Sequence, residues 1–422
     1  MRRFSQDSGA TPVRGEENRR SRLRSSAKSP ISWPVATVLM GIFLLAAACR
    51  PASRTTVGES PVTFLSGGGS EGFERVLEPR LFDLPLDHGA HEAFQIEWWY
   101  LTGNLADPQQ RRFGFELTFF RIGLEGKEGK ASEGLSGRNS RWATDQLYMA
   151  HFAVTDVRAR EFHAFERLTR GGLDLAGVRA FPLRVWNESW SLEAHPPVGA
   201  SDPFPLKLVA GDRDGEMGEV SIELELMPKK PLVLQGDRGF SRKGPEPGNA
   251  SYYLQDPRLE AIGNLTLGES RFEVSGLAWM DHEWSTSVLG AELVGWDWFA
   301  LQLDDGRDLM VYQLRGRDGK ATAASQGTII DSDGKVVRLS SQDFDLRVTD
   351  HWRSSYSAAT YPSGWRLRIP SQLIDLAITP VIEDQELRLS TTYWEGAVVV
   401  ESTAQDLLGR GYVELVGYVA KE

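Results

Sequence analysis

The sequence is poor in cysteine, and this scarcity removes two kinds of site. Only one cysteine occurs in 422 residues, so no intrachain disulfide can form and no zinc site can be built from several cysteines. None of the seven histidines has another histidine at helical i, i+4 spacing next to an acid. The sequence therefore predicts no metal site and no cofactor.

Positive charge is also scarce outside the first 48 residues. The chain has 47 Lys and Arg against 58 Asp and Glu, and residues 1–48 hold eight of the basic residues but only three of the acidic ones. The rest of the chain therefore has 39 basic and 55 acidic residues, a net charge near −16. Such a surface repels a polyphosphate backbone, so the sequence predicts no nucleic-acid partner.

Two catalytic motifs are missing as well. No H-E-x-x-H zinc motif and no G-x-x-x-x-G-K-[ST] phosphate loop occurs in the chain. Zincin-type proteases and enzymes that use nucleoside triphosphates therefore lose their support.

The lone cysteine stands at the end of a leader. A basic stretch is followed by an apolar run, Trp33–Ala48, which ends in small residues directly before Cys49. This order is typical of a secretory signal, and the final step resembles the lipobox of bacterial lipoproteins. An uncleaved membrane anchor is the alternative, although about 16 apolar residues is short for a span of roughly 20. We predict a signal peptide over residues 1–48 and lipidation of Cys49, which would give a membrane-anchored lipoprotein of the cell envelope facing the periplasm.

Beyond the leader, residues 49–78 have few periodic apolar positions and predict a flexible tether. From about residue 81, short segments alternate apolar and polar residues between Gly, Asp, Asn and Pro, which is typical of antiparallel meanders. With 42 glycines, 13 tryptophans and no long helical pattern, the fold class is all-β. The predicted strands are Glu97–Leu105, Phe113–Arg121, Gln146–Asp156, Ser189–Ala194, Glu219–Leu226, Arg271–Ala278, Trp296–Leu303, Leu309–Leu314 and Gly396–Glu401.

A segment rich in glycine and proline and a repeated sequence pattern both indicate that the chain after residue 78 has two domains. The glycine- and proline-rich segment Gln235–Asn249 favours a boundary there, with an N-terminal domain over residues 79–245 and a C-terminal domain over 246–422. The hairpin that begins Glu97–Leu101 is matched by one that begins Asp297–Leu301. Both start acid, tryptophan, aromatic, and both continue into a strand that ends in arginine. Duplication and coincidence both fit so few matched positions.

The acids of the repeat are candidate functional groups. Residues of one parity share a strand face, so Glu97 and Asp297 accompany aromatic side chains whichever face points inward. Two interpretations stay open: a desolvated acid kept protonated, as a general acid requires, or a rim carboxylate paired with Arg121 or Arg315. The aromatic residues expected beside a ligand are Trp98, Trp99, Tyr100, Trp296 and Trp298.

The densest polar cluster is Trp279–Ser285. Alternation places Asp281 on one face of the strand and His282 with Trp284 on the other. His282 between aromatic walls could transfer a proton, or it could satisfy a buried backbone carbonyl. We expect Asp281 and His282 to reach the same cavity mouth as Glu97, Trp98 or Asp297, which requires a turn, a bulge or a strand end. A second strand histidine that could point inward is His151.

Five ordered blocks resemble one known family. They are Gln95–Leu105, Phe113–Arg121, Gln146–Ala153, Trp279–Ser285 and Gly295–Phe299. Together they are similar to the AttH-like and carotenoid 1,2-hydratase (hydroxyneurosporene synthase) superfamily over most of residues 80–420. The resemblance implies two tandem lipocalin-like antiparallel β-barrels of calycin type.

The resemblance also implies two kinds of function. Members of the family occur on lipoproteins encoded near ABC-type export permeases, and a hydratase branch adds water to an isoprenoid double bond by acid catalysis. His282 and Trp284 would correspond to a His-x-Trp pair of that branch. Tyr312 matches the tyrosine of a downstream Tyr-x-Asp, but Leu314 stands in place of the acid. Asp281, Glu283 or Asp297 would then have to supply the proton.

The sequence therefore predicts a lipoprotein that binds a hydrophobic ligand, and the resemblance suggests a role as an accessory of an ABC-type permease. The alternative is a hydratase or hydrolase acting on such a ligand. The predicted catalytic residues are His282, Asp281, Asp297 and Tyr312, and the predicted ligand-binding residues are Trp284, Glu97, Trp98, Trp99, Tyr100, His151, Trp296 and Trp298.

Overall fold

The computed structural model of the chain describes residues 70–126, 144–195, 202–215, 217–287, 289–290, 292–403 and 406–419. The predicted signal peptide, Cys49 and most of the predicted tether lie outside these residues. Among the described residues, no helix has the length and apolar character needed to cross a bilayer. Short 3-10 turns occur at Leu86–His88, Gly172–Asp174 and Pro370–Gln372.

Strands make up nearly all of the regular structure in these ranges. In chain order they are β1 (Ile96–Ala106), β2 (Arg112–Gly123), β3 (Gln146–Asp156), β4 (Glu161–Arg170), β5 (Ala176–Arg179), β6 (Arg184–Asn187), β7 (Trp190–Ala194), β8 (Leu206–Asp214), β9 (Gly218–Pro228), β10 (Val233–Leu234), β11 (Phe240–Arg242), β12 (Ala250–Leu267), β13 (Ser270–Ser285), β14 (Leu293–Leu303), β15 (Asp308–Gly316), β16 (Gln326–Ile330), β17 (Val336–Ser340), β18 (Asp345–Arg353), β19 (Thr360–Ile369), β20 (Ile374–Pro380), β21 (Glu386–Arg388), β22 (Thr392–Ser402) and β23 (Leu408–Val416).

The strands form two antiparallel sheets. In the first, the order is β4-β3-β2-β1-β13-β12-β9-β8-β7-β6-β5, with β10 and β11 paired to β12. In the second, the order is β17-β16-β15-β14-β23-β22-β20-β19-β18, with β21 paired to β22. The first sheet is a nearly closed barrel and the second a half-barrel, which confirms the all-β prediction of two lipocalin-like barrels.

Alternation along the strands separates three apolar layers. In β2, Phe115 and Leu117 point into the core of the first sheet, whereas Thr118 points to the opposite side. In β14, Phe299 points into the core of the second sheet and Trp298 to the opposite side. The outward faces of both sheets meet in the third layer. Its buried members include Tyr100, Tyr253, Trp279, Trp298, Met310, Tyr312 and Tyr393.

Close packing and hydrogen bonds join the sheets at this third layer. A Cβ atom on Gly114 of β2 would lie only 2.6 Å from the Ala397 Cβ of β22, so the backbones approach as closely as glycine allows. Asn104 donates from Nδ2 to the Gly411 carbonyl oxygen over 2.9 Å. Gln302 donates from Nε2 to the Ala278 carbonyl oxygen over 3.0 Å. Close packing and direct hydrogen bonds therefore fix how the two sheets meet at these positions.

The division between the sheets corrects one expectation. β12 pairs with β9 and β13 pairs with β1, so the first sheet continues to Ser285 and the second begins at Leu293. The boundary expected at residues 245/246 therefore falls inside the first sheet. The glycines and prolines of Gln235–Asn249 lie in the loops around the short strand β11, between β10 and β12, and both short strands pair with β12. This segment therefore does not separate the sheets.

The predicted tether also ends earlier than expected. Val76 is fully buried in a cluster with Phe94, Tyr252 and Trp284. The Glu74 amide donates to the Ala93 carbonyl oxygen over 2.8 Å. The tether was expected to extend to residue 78. The apolar side chain of Val76 is instead buried against aromatic residues, because this removes its surface from water.

Candidate functional site

A cavity lies between the two sheets. About 740 Å³ of space there is free of protein atoms, part of it open to solvent. Most of its wall is aromatic or aliphatic, with a minority of titratable groups. The lining residues are Trp98, Tyr100, Thr118, Phe120, Lys243, Tyr253, Asp281, Glu283 and Leu289 from the first part of the chain and Trp296, Trp298, Tyr312, Leu314, Tyr393, Glu395 and Glu414 from the second.

A second, more apolar space adjoins this cavity. It shares Trp98, Trp296 and Tyr393 with the first, among other residues, and adds His151. His151 contacts the Tyr393 hydroxyl through Nδ1 at 2.7 Å and Glu166 Oε1 through Nε2 at 3.1 Å. The side chain of His151 therefore has both ring nitrogens engaged at the edge of the ligand-sized space.

Three carboxyl groups meet in the layer between the sheets, and Glu395 and Glu414 among them line the cavity. Burial, followed by the charge of Glu414, raises the pKa of Glu395 well above its usual range. Burial likewise raises the pKa of Glu116 well above its usual range. The pKa of Glu414 is raised to about 7, again chiefly by burial. Burial and the nearby acidic groups therefore favour the protonated forms of Glu395 and Glu116.

Glu116 and Glu395 each have a buried carboxylate oxygen without a hydrogen-bond partner among the described residues, and of these two acids Glu395 lines the cavity. Its Oε2 accepts a hydrogen bond from the Tyr100 hydroxyl over 3.0 Å. Its Oε1 is buried and has no hydrogen-bond partner among the described residues. A protonated Glu395 can therefore offer a hydrogen bond, or a proton, to a molecule in the cavity.

Asp281 lines the same cavity through a different network. It accepts hydrogen bonds from the Tyr253 hydroxyl at 2.6 Å, Trp279 Nε1 at 3.0 Å and Gln255 Nε2 at 3.1 Å. Burial nevertheless outweighs these donors and raises the pKa of Asp281 to about 7. All these partners come from β12 and β13, so the position of Asp281 is fixed by the first sheet alone.

A buried ion pair closes one side of the cavity. Lys243 Nζ lies 3.1 Å from Glu283 Oε1, and Ser251 donates to the same carboxylate. The ammonium group also lies 4.3 Å from the centre of the Tyr312 ring, within the range of a cation–π contact. Tyr312 is thus held against a cation at the cavity wall.

The opposite face of β1 and β13 carries a separate cluster. Glu97 Oε1 lies 2.7 Å from His91 Nδ1 and 2.9 Å from His282 Nε2. Glu97 Oε2 accepts hydrogen bonds from Arg121 Nε at 2.8 Å and from the His91 amide at 2.8 Å. Burial disfavours the carboxylate, but Arg121 and His91 outweigh it and hold the pKa of Glu97 well below its usual range.

Two tryptophans enclose this cluster. Trp284 stacks on His91 with ring centres 3.7 Å apart, and Trp99 stacks on His282 at 4.6 Å. Burial lowers the pKa of His282, so its ring is neutral near neutral pH. Nδ1 of His282 is buried and finds no hydrogen-bond partner in the described parts of the chain. The donor atoms of His91, Glu97 and His282 all lie within 4.8 Å of one another, so this is where the described residues could hold a metal ion.

Asp297 lies on the core side of the second sheet. It accepts hydrogen bonds from Arg315 Nε at 3.0 Å and from the Tyr418 hydroxyl at 2.9 Å. Burial raises the pKa of Asp297 more than these two partners lower it. Asp297 is therefore paired with an arginine, as one interpretation expected, but it is buried instead of lying at a rim, and it does not line the cavity between the sheets.

The predicted site residues therefore divide between two places. Those that line the inter-sheet cavity or its extension are Asp281, Tyr312, Trp98, Tyr100, Trp296, Trp298, His151 and, in the extension, Glu97. Those whose functional groups lie on the other face of β1 and β13 are His282, Trp284, Trp99 and Glu97. The expectation that Asp281 and His282 both reach one cavity mouth with Glu97, Trp98 or Asp297 is wrong for His282: Asp281 and Trp98 line the cavity, whereas the His282 ring contacts Glu97 on the other face of β13. β13 runs opposite β1 without a break in register from Ser275 to Ser285, so no bulge turns the two side chains together.

The buried acids between the sheets and one member of the histidine cluster were not among the predicted site residues. Glu116 and Glu395 lie inside blocks of otherwise apolar strand, Phe113–Arg121 and Tyr393–Ala397, and an acid on the same face as aromatic residues was the available signal. Glu414 stands in the apolar strand β23 and shows the same pattern. His91 precedes β1 in a segment without periodicity, so only its distance to Glu97 identifies it.

Comparisons with known proteins identify one family and solved structures with a similar fold. A family model described as AttH-like matches residues 75–418. A crystal structure of a protein from Nitrosomonas europaea described as an AttH is 32% identical, covers 82% of this chain and 100% of its own, and superposes with a TM-score of 0.69. Kievitone hydratase from Nectria haematococca is 15% identical over 82% of this chain and 97% of its own, with a TM-score of 0.58, and so shows the fold alone. No sequence among the curated proteins matches the chain.

Proposed function

The chain belongs to the AttH-like family, and from this membership and the inter-sheet cavity we propose that it binds a hydrophobic, lipid-like or isoprenoid-like molecule between its two sheets. The observation that carries the proposal is the cavity wall. Aromatic side chains from both sheets surround a space in which burial raises the pKa of Glu395 well above its usual range and that of Glu414 to about 7. Mostly apolar walls with a few fixed polar groups are typical of small-molecule sites.

The polar groups indicate how such a ligand is oriented. Glu395 Oε1 has no partner among the described residues, and a protonated carboxyl there can donate to a hydroxyl or carbonyl oxygen of the ligand. The apolar remainder of the ligand would lie against Trp98, Trp296 and Trp298. We therefore expect an amphiphile with one oxygen-bearing end.

Mass spectrometry of lipids that co-purify with the protein is the first test. Titration with farnesol, an isoprenoid alcohol, followed by tryptophan fluorescence, is the second. Trp298→Ala removes a wall of the cavity and should weaken farnesol binding by about tenfold or more. Trp186→Ala is the control, because the half-buried Trp186 donates to the Asp174 carbonyl oxygen and lies outside the cavity. Equal affinities of the two variants, or no binding by the wild type, would contradict the proposal.

A second candidate function is acid-catalysed hydration of the bound molecule, and Glu395 is the observation that favours it. In that reaction the Glu395 carboxyl proton adds to one alkene carbon and water adds to the other. The proton lost by the water then returns to the carboxylate, so the enzyme ends unchanged. The fold is shared with kievitone hydratase, a protein named for a hydration.

Glu395→Gln separates the two functions. If the protein is a hydratase, this variant should lose turnover while farnesol binding stays within about tenfold, a difference of about 1.4 kcal/mol. His282→Ala is the matched comparison, because His282 lies on the other face of β13 and should keep turnover. If wild-type protein yields no hydrated product from isoprenoid alkenes, the carrier function stands alone.

We also propose that Cys49 is lipidated and anchors the protein to a membrane, where it could act beside an ABC-type export permease. The support is the basic and apolar leader that ends at the lone cysteine. Cys49→Ser should move the protein from the membrane to the soluble fraction of cells. If Cys49→Ser stays membrane-bound after the leader is cleaved, the anchor lies elsewhere. A permease partner should co-purify with the wild type in mild detergent and be lost with Cys49→Ser.

A further inference from the structure

The histidine cluster on the core side of β1 and β13 lies outside the main ligand cavity, and of its members Glu97 also borders the adjoining extension. Within the described residues, Nδ1 of His91, Nε2 of His282 and Oε1 of Glu97 converge to within 4.8 Å of one another. We propose that these three residues bind a divalent transition-metal ion, and that Zn²⁺ fits them best. The proposal does not rest on the function assigned to the cavity.

The donor set favours zinc over the harder cations. Two imidazole nitrogens and one carboxylate oxygen form one of the ligand sets that Zn²⁺ accepts, whereas Mg²⁺ and Ca²⁺ prefer oxygen ligands alone. Three protein ligands leave the fourth tetrahedral position for water or another small ligand. The side chain of His91 is 11% exposed while that of Glu97 is fully buried, so an ion would reach the site past His91.

The surroundings orient the ligands in different ways: His91 has a carboxylate on its outer nitrogen, whereas Nδ1 of His282 has no hydrogen-bond partner among the described residues. Asp87 Oδ1 lies 3.0 Å from His91 Nε2, the ring nitrogen that faces away from the cluster. Carboxylates commonly hold the outer nitrogen of a ligating histidine in this way. Arg121 occupies Oε2 of Glu97 and so leaves Oε1 for the ion. Stacking on Trp284 and Trp99 fixes the planes of the two imidazoles.

Without a metal, the same atoms make hydrogen bonds, and this is the rival interpretation. The separations from Glu97 Oε1 of 2.7 Å to His91 and 2.9 Å to His282 are hydrogen-bond lengths. An ion would replace the protons of those two bonds and push the ligand atoms apart by about half an ångström to reach bonds of about 2.0–2.1 Å. Such a small movement suits side chains that meet at the end of β1.

The test uses purified full-length protein stripped of metal with a chelator. Zn²⁺ alone is titrated in competition with a chromophoric chelator, and Co²⁺ is added to a second sample to record the visible bands of a tetrahedral site. We expect one ion per chain. His91→Ala should weaken Zn²⁺ binding by more than about 100-fold, and Asp87→Asn, which removes the orienting carboxylate and its ion pair with Arg80, by about 10- to 100-fold. Circular dichroism and urea unfolding show whether each variant keeps its fold.

His163→Ala is the matched control. His163 also contacts an acid, Asp214, at 3.1 Å, but it is not part of the converging group, so its removal should leave Zn²⁺ binding unchanged. If His91→Ala unfolds, Asp87→Asn decides the result by itself. Equal Zn²⁺ affinities of the wild type and Asp87→Asn would overturn the proposal. So would a wild type that binds no stoichiometric Zn²⁺ below roughly millimolar concentration.

Discussion

Glu97 in β1 and Asp297 in β14 hold matching positions in the two sheets, and each accepts a hydrogen bond from the Nε atom of an arginine on the next strand. The distances are 2.8 Å from Arg121 and 3.0 Å from Arg315. Yet Arg121 and the histidines hold the pKa of Glu97 well below its usual range, whereas burial raises the pKa of Asp297. Similar sequence around two acids therefore does not fix their ionisation.

The two acids differ in the hydrogen-bond partners that they have besides arginine. Glu97 also has His91 and His282 at hydrogen-bond distance, while Asp297 has the Tyr418 hydroxyl. Each added donor stabilises the charged carboxylate against the cost of burial, and two partners beside arginine suffice where one does not. The residues outside the repeat, His91 and Tyr418, thus decide what the repeated acid can do.

Removing the acid is expected to give the largest contrast. Glu97→Gln leaves the fully buried Arg121 without its counter-ion and should lower the free energy of unfolding by about 3–5 kcal/mol. Asp297→Asn should cost only about 1 kcal/mol, because Arg315 keeps its hydrogen bond to the Val416 carbonyl oxygen. Urea unfolding of both variants at neutral pH measures the difference. Equal losses would mean that the neighbouring partners are irrelevant.

The pH dependence of the second pair is a sharper comparison with a smaller effect. The folded-state pKa of Asp297 lies above its ordinary value of 3.8, since burial outweighs Arg315 and Tyr418. In the window between these two values, the folded protein holds a proton that the unfolded chain has released, so rising pH lowers the free energy of unfolding.

Asn has no proton to hold in that window. The stability advantage of the wild type over Asp297→Asn should therefore be largest below pH 3.8 and shrink as the pH rises through the folded-state value. Urea midpoints of the two proteins across the window give this difference directly. A difference that grows with pH would show that Asp297 is ionised more easily in the folded protein than in the unfolded chain.

Tyr418→Phe should give the smallest effect. The ring of Tyr418 lies 3.9 Å from the Arg315 guanidinium, and phenylalanine keeps this contact while losing the hydrogen bond to Asp297. We expect a loss of about 0.5–1.5 kcal/mol at neutral pH. The same change should raise the pKa of Asp297 further and so widen its pH window, because the Tyr418 hydrogen bond lowers that pKa. An unchanged window would show that the hydroxyl does not act on Asp297.

Local pattern was sufficient to predict much of the fold. The strand predicted over Gln146–Asp156 coincides with β3, because its alternation of apolar and small residues is uninterrupted. The strand predicted over Arg271–Ala278 continues to Ser285 in the structure, so the polar cluster is itself strand. Alternation in that strand correctly puts Asp281 and His282 on opposite faces.

The sequence did not indicate which structure packs against each face of a predicted strand. Whether Asp281 or His282 faces a cavity depends on how the two sheets pack, and no local pattern records that. Glu395 and Glu414 enter the cavity from the second sheet, more than a hundred residues away along the chain from Asp281. The convergence of His91 with His282 depends in the same way on tertiary contacts between distant segments.

The shared wall of the cavity bears on how such a chain could have arisen. A molecule with one sheet alone would expose its outward aromatic face, here Trp98, Tyr100 and Trp279 or their counterparts Trp298 and Tyr312, as a large apolar patch. If both sheets descend from one ancestral copy, that ancestor could have enclosed a ligand only as a homodimer with the same face on each side of the contact. On that premise, fusion of two copies into one gene would let each half change independently. Glu97 could then acquire histidine partners while Asp297 acquired Tyr418.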